Sequence, residues 1–194
     1  MTANPPVILA SSSVYRRELL GRVLREFECV SPDVPEEPIA GEAPGIMALR
    51  LAELKAREVA AARPDAIVIG SDQVPTLDGR ILRKPGTRER AIRQLSDCSS
   101  RAVRFLTAAA VLGPGGAAER HVDETVVQFR ALSEGEIERY VEAEQPLDCA
   151  GSFKVEGLGI ALFERIDSQD PTALQGLPMI WLSNCLNRLG VQLP

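Results

Sequence analysis

Three lysines, nineteen arginines and one histidine narrow the chemistry open to this 194-residue chain. The single histidine, His121, rules out a histidine-based metal cluster, and a Ser–His–Asp triad would have to use this one residue. Catalysis is left to carboxylates, lysines, arginines and hydroxyls. Lysine stands only at Lys55, Lys84 and Lys154, while arginine supplies the rest of the positive charge. That economy points to places where a compact point charge is wanted. Lys84 precedes Pro85 and Lys154 lies in a Gly-rich stretch, and neither setting is a typical solvated helix face.

Four stretches could do chemistry. In SSSVYRRELL, the Ser11–Ser13 hydroxyls and free backbone N–H groups gather at a helix start, with Arg16 and Arg17 in its first turn. A helix N-terminus attracts anions and arginine adds bidentate phosphate recognition. Basic residues there oppose the macrodipole at about 0.3–1 kcal/mol each, a conflict that an anionic ligand relieves. A serine cap followed by solvated arginines is the plainer reading of the triplet alone. In Ile67–Gln73, an apolar strand ends in Gly-Ser-Asp and places Asp72 at a carboxyl edge, where α/β proteins build ligand sites. A turn aspartate bonded to its own backbone is the ordinary alternative. The lysines form the third set. The fourth is AGSFKVEGLG, whose glycines admit close backbone approach; if it is extended, Lys154 and Glu156 face the same side. No GxGxxG, GxxxxGK[ST] or GxSxG stands in its required strand–turn–helix context, which excludes dinucleotide, P-loop and hydrolase-elbow readings.

The elements that must position these residues are legible as pattern. Val7–Ala10 reads as a strand, followed by a helix carrying Leu19, Leu20, Val23 and Leu24, and Phe27–Val30 reads as a second strand. A long helix is predicted from Pro44 to Ala62, with Met47, Leu51 and Leu54 on one stripe. Ala66–Ile69 reads as a strand buried on both faces, and Asp78-Gly79 as a hairpin turn before Ile81-Leu82. Thr87 caps a helix to about Leu95. Ala102–Leu112 and about His121–Arg130 flank a GPGG turn. Ser133 and Glu136 have capping-box spacing, and a helix with Ile137, Tyr140 and Val141 on one face follows. A strand is predicted over Ile160–Ile166, and a closing helix from about Pro178 to Leu189, stopped by Gly190. The alternation implies a mixed α/β fold, with one continuous domain in two lobes.

Composition sets the outer limits. Apolar residues make up 45% and charged residues 25%, as in soluble globular chains. A net charge of −5 argues against a general nucleic-acid or membrane-surface binder but leaves room for a local basic pocket. No run suits a signal peptide or a membrane-spanning helix. Cys29, Cys98, Cys149 and Cys185 are scattered without CxxC spacing, so a reduced, cytoplasmic setting is expected.

Together the blocks LASSSVYRRELL, SPDVPEEP, LAELKA, GSDQV, LRKPGT, LDCAGSFKVEGLG and DPTALQGLP resemble, in order and over nearly the whole chain, the Maf family of nucleotide pyrophosphatases. YRR, SDQV and GSFKVEG look most like the branch that cleaves 7-methyl-GTP. One departure is Pro35, where the family usually shows Asp; Glu36 still aligns with the family glutamate. The resemblance implies a single Maf-like domain over residues 1–194, with a mixed twisted sheet, flanking helices and two lobes around a cleft, as in inosine triphosphatases. It implies hydrolysis between the α and β phosphates, a divalent metal cation (Mg, Mn or Co) and a homodimer.

By the same resemblance Asp72 is the water-activating base or a metal ligand, and Glu36 helps hold the metal. Ser11, Ser13, Arg16, Lys55, Lys84 and Lys154 bind phosphate, and Tyr15, Gln73 and Glu156 recognise the base. An aromatic face such as Tyr15 suits a cationic N7-methylated guanine, and a carboxylate such as Glu156 accepts both N1–H and N2–H. Two alternatives stay open: a dTTP/UTP-type pyrophosphatase, and a nucleotide-binding regulator of cell division or septum formation.

Overall fold

The computed structural model describes residues 5–193. Among them seven strands form one mixed sheet. The strands are β1 (Val7–Ala10), β2 (Glu28–Val30), β3 (Ile67–Leu77), β4 (Arg80–Ile81), β5 (Ala102–Leu112), β6 (Ala118–Phe129) and β7 (Phe163–Asp167). The order is β2-β1-β3-β5-β6-β7, with β4 paired to β3. The helices are α1 (Val14–Gly21), α2 (Pro44–Ala62), α3 (Arg88–Cys98), α4 (Glu134–Glu144) and α5 (Met179–Arg188). The chain divides into two compact units. The first holds the described residues up to Gln73, Thr107–Asp123 and those from Asp170 onward; the second holds Val74–Leu106 and Glu124–Gln169.

In the first unit, β1 runs parallel to both β2 and β3, with Ala10 opposite Val30 and Gly70. Val7–Ala10 and Ile67–Ile69 are buried throughout, the near-continuous apolar runs that a parallel sheet covered on both faces requires. On one face Val7, Leu9, Ile67 and Ile69 pack with Leu19 and Leu20 of α1 and with Leu182 and Leu186 of α5. Pro44 at the start of α2 suits the first helical turn, where its missing N–H costs nothing. The buried stripe of α2 is Met47, Leu51 and Lys55, flanked by Ala48, Ala52, Ala56 and Val59, while Leu54 is half-buried. A lysine therefore sits where the expected stripe of the helix would place an apolar residue.

Gly70 sets the distance between β3 and α2. A Cβ at this position would fall on the Ala52 carbonyl oxygen and come within 2.7 Å of the Ala56 nitrogen and 2.9 Å of its Cβ. Only a residue without a side chain lets strand and helix meet so closely. Asp123 is also buried in this unit, and its Oδ1 has no hydrogen-bond partner among the described residues. Burial and the neighbouring Asp170 push its carboxyl up, opposed by His121, whose ring stacks on Trp181.

In the second unit, Asp78 and Gly79 adopt left-handed φ values of 47° and 79° and turn β3 back onto β4, pairing Thr76 with Ile81. Thr87 caps α3, and Ser133 with Glu136 forms a complete capping box on α4. That box and Arg130 hold the Glu136 carboxyl down at about 2. Phe105, Phe129, Phe153 and Phe163 meet edge-to-face and centre the core.

Two expectations are corrected here. The strand predicted over Ile160–Ile166 is a 3₁₀ turn over Leu158–Leu162 followed by β7. Lys154 to Gly159 is not extended either: the N–H groups of Gly157 and Gly159 both donate to the Lys154 carbonyl, so alternation does not place Lys154 and Glu156 on one side. The glycines that suggested an open loop instead allow a tight turn.

Replacing Gly70 with Ala should lower the urea midpoint by the equivalent of about 1–3 kcal/mol, because the added methyl meets backbone rather than a flexible side chain. An unchanged midpoint would show that α2 can move away at no cost.

Candidate active site

Chain geometry brings eight of the expected site residues into the first unit. The parallel pairing of β1 and β3 stops at Ala10 and Gly70, so Ser11 follows the end of β1. Ser71, Asp72 and Gln73 lie inside β3, which continues to Leu77, and the strand end expected at Asp72 is therefore corrected. Asp72 stands where β3 runs past the end of its parallel neighbour. Ser11 is buried, and its hydroxyl accepts from the Ser13 N–H at 3.1 Å. Ser13 is the N-cap of α1, its hydroxyl accepting from the Arg16 N–H at 3.4 Å. Among the described residues both hydroxyls act as acceptors, and the first turn contains no acidic residue. Tyr15 lies half-buried in that turn.

Arg16 is held by one edge. Its Nε donates to the Gly176 carbonyl at 3.0 Å, and the same carbonyl accepts from the Ser71 hydroxyl at 2.8 Å. Burial lowers the Arg16 guanidinium from its ordinary value, while the charges of Asp72 and Glu36 raise it. A guanidinium pinned through Nε is ordered without losing its terminal fork, the part that grips phosphate bidentately.

At the centre stands Lys55. Its Nζ lies 2.6 Å from Asp72 Oδ1 and 2.6 Å from Glu36 Oε1. The lysine and Asp72 side chains are 10% and 13% exposed, whereas Glu36 is 60% exposed. The ammonium is thus the counter-charge that lets two carboxylates converge beside β3. Phosphate contact is the expected role of Lys55; its ammonium also bridges the two acids.

The acids suit a divalent cation of the magnesium type. Magnesium is usually held by one or two carboxylates, with waters and substrate phosphates filling the other places. Glu36 and Asp72 provide that number of oxygen ligands, and no cluster of three or more potential ligands occurs among the described residues.

Gln73 is also fixed. Its amide nitrogen donates to Thr107 Oγ1 at 2.9 Å and to the Ala173 and Leu174 carbonyls at 3.1 Å each. Only the amide oxygen is left to face a ligand, as an acceptor. These bonds expose what the sequence reading missed: the segment Asp170–Leu177 is structural support for the site. Asp170 accepts from the Thr172 N–H and hydroxyl and from the Ile180 N–H at the start of α5. The Asp-Pro-Thr turn was visible in the sequence, but its link to Gln73 and Arg16 is made over about a hundred residues or more.

Lys84, Lys154 and Glu156 belong to the second unit. Lys84 and Glu156 are exposed. Lys154 is tied locally: its N–H donates to the Tyr140 hydroxyl at 3.1 Å and its Nζ to the Glu144 carbonyl at 3.2 Å, at the end of α4. Cations at a helix C-terminus complement its dipole, so part of this lysine's role is structural.

The fold is that of an α/β protein whose polar cluster stands where β1 ends against the continuing strand β3, beside the N-terminus of α1. Within that class the chain belongs to the Maf-like protein family, which it matches over residues 6–189. It is 57% identical over 193 residues to a 7-methyl-GTP pyrophosphatase of Xanthomonas axonopodis pv. citri, covering 98% of this chain and all of that one. It is 51% identical over 194 residues to a 7-methyl-GTP pyrophosphatase of Pseudomonas aeruginosa, with 98% and 100% covered. Among solved structures, the Staphylococcus aureus Ham1 protein superposes with a TM-score of 0.51 at 16% identity, covering 92% of this chain and 99% of that chain. At that identity the likeness is one of fold.

Removing the bridging ammonium by Lys55→Met should cost about 1–3 kcal/mol of unfolding free energy, since Asp72 is left mostly buried without its partner. Chemical denaturation at neutral pH measures this; the loss should shrink in the Lys55→Met/Asp72→Asn double variant. Equal losses in both would mean that Asp72 does not depend on Lys55.

Proposed function

We propose that the protein is a nucleoside triphosphate pyrophosphatase that hydrolyses 7-methyl-GTP to 7-methyl-GMP and pyrophosphate. The observation that carries this is the Glu36–Lys55–Asp72 cluster beside the pinned Arg16, in a chain more than half identical over its length to proteins of that name. Chemically, a water oxygen bonds to the α phosphorus, the bond from that phosphorus to the α,β-bridging oxygen breaks, and pyrophosphate leaves. Asp72 accepts the water proton on Oδ2, the oxygen not engaged by Lys55. A divalent cation held by Glu36 and Asp72 would supply neutralisation of phosphate charge.

Arg16 takes phosphate oxygens through its terminal nitrogens, and the Ser11 and Ser13 hydroxyls donate to them at the helix start. A triphosphate brings roughly four negative charges, which Arg16, Lys55 and the cation offset in part. Lys84 and Lys154 are proposed as further phosphate ligands on their motif match. Tyr15 is proposed to stack on the cationic base, Gln73 to meet it with its amide oxygen, and Glu156 to accept its N1–H and N2–H. Action in the cytoplasm as a homodimer completes the reading. Among the described residues no helix is long and apolar enough to cross a membrane.

Asp72→Asn should lower turnover by about 10²–10⁴-fold while nucleotide binding is largely retained. A metal-supplemented panel of 7-methyl-GTP, GTP, UTP and dTTP, read by pyrophosphate release, checks both the residue and the substrate. Near-wild-type activity of the variant would remove Asp72 from the mechanism, preference for UTP or dTTP would move the protein to the pyrimidine branch, and release from none would make it a nucleotide binder.

Base recognition is tested by Glu156→Gln. The amide keeps the shape but presents one donor to guanine's own donors, and the methylated base loses its counter-charge. kcat/KM for 7-methyl-GTP should fall about 10–100-fold, with activity on UTP or dTTP falling far less. An equal loss on every nucleotide would assign Glu156 to the chemistry instead.

A further inference from the structure

The second unit contains a basic groove of which the proposed reaction uses only Lys84. It has a volume of about 560 Å³ and lies between the segment leaving β4 and the outer face of α3. Ala91, Leu95 and Cys98 bury one face of α3, so Arg90 and Arg93 share its opposite, solvent face at i, i+3 spacing. Arg83 and Lys84 approach from the chain after β4. Among the described residues the charge count is one-sided. Arg80 is neutralised by Asp97 at 2.6 Å, and Arg93 is near enough to Glu89 to help lower its carboxyl, which leaves Arg83, Lys84 and Arg90 in excess. Five cations and a single acid, Asp97, line one concavity in a chain whose net charge is −5.

The groove is also firmly built. Gln94 donates its amide to the Arg83 carbonyl at 3.2 Å and accepts from the buried Ser152 hydroxyl at 2.5 Å, which ties the two walls together. Pro85 is buried, and the Gly86 N–H donates to the Leu147 carbonyl at 3.0 Å, anchoring the segment on its other side. Like charges held this close repel one another, and a bound polyanion relieves that repulsion. Apart from the charged and polar groups, the walls are Ile81, Leu82 and Pro85, with no aromatic ring on which a base could stack.

We propose that this groove is a second anion site, for a condensed phosphate chain, whether free polyphosphate or the phosphate tail of a nucleotide. Lys84 lines it, but Arg83, Arg90 and Arg93 are what distinguish it from the cluster in the first unit. The inference does not depend on the proposed reaction, because binding at α3 and turnover are read separately.

The test is an NMR titration of ¹⁵N-labelled protein that follows the amide signals of α3, with sodium tripolyphosphate, GTP and guanosine as probes in the absence of divalent metal. Tripolyphosphate and GTP should shift these signals with comparable Kd values and guanosine should not. In Arg90→Gln/Arg93→Gln the tripolyphosphate Kd should weaken by about tenfold or more, and more salt should weaken binding to wild type more steeply than to the variant. Pyrophosphate release should stay at the wild-type rate. Far-UV circular dichroism confirms folding, and Arg83→Gln, outside the helix, provides an independent variant with the same expected direction.

Silent α3 signals, or the same Kd in wild type and both variants, would overturn the proposal. Loss of turnover in step with binding would make the groove part of the substrate site. Tighter binding of GTP than tripolyphosphate by more than about tenfold would assign base contacts, and an oligonucleotide outcompeting tripolyphosphate would make the groove a nucleic-acid surface.

Discussion

One ammonium group governs the organisation of the first unit. Lys55 is buried on the core stripe of α2, and its charge is tolerable there only because Asp72 and Glu36 reach it at 2.6 Å each. The converse also holds, since two carboxylates converge this closely only around a cation. Gly70 makes this contact geometrically available, because a side chain there would push α2 off β3. Packing and electrostatics are therefore coupled over three residues of one strand: Gly70 sets the distance, Ser71 anchors the Gly176 carbonyl, and Asp72 meets the lysine.

Around that centre the donors are divided between holding the structure and leaving atoms for a ligand. Arg16 gives up Nε to Gly176, and Gln73 gives its amide nitrogen to Thr107 and the Ala173–Leu174 backbone. What remains is a guanidinium fork on one side and a carbonyl acceptor on the other. Both are oriented by a segment, Asp170–Leu177, that contributes backbone carbonyls and turn hydrogen bonds rather than chemistry of its own. Such preorganisation is what allows a site to favour a charged transition state without first reorganising.

The second unit follows a different logic. Its core is a cluster of four phenylalanines, its helices are capped by Thr87 and Ser133, and its positive charge collects in a groove with few acids. In a chain of net negative charge that collection is local, the situation in which overall charge says least about what a surface can bind.

The sequence by itself determined most of the elements and the family. Val7–Ala10, Pro44–Ala62 and Ala102–Leu112 have the bounds that pattern alone predicts, because apolar periodicity, proline at a helix start and Gly/Pro punctuation are local signals. The Ser133–Glu136 box and the Asp78-Gly79 turn were legible for the same reason. The candidate residues were legible as types, carried by seven ordered motifs. Tertiary structure alone decided their partners. That Lys55 bridges two acids, that Gln73 keeps only its oxygen for a ligand, and that the glycines before β7 form a tight turn all depend on contacts a pattern does not encode. Local propensity specifies backbone conformation over a few residues. Which atom of a polar side chain is left for a ligand is settled by burial and by partners up to about a hundred or more positions away.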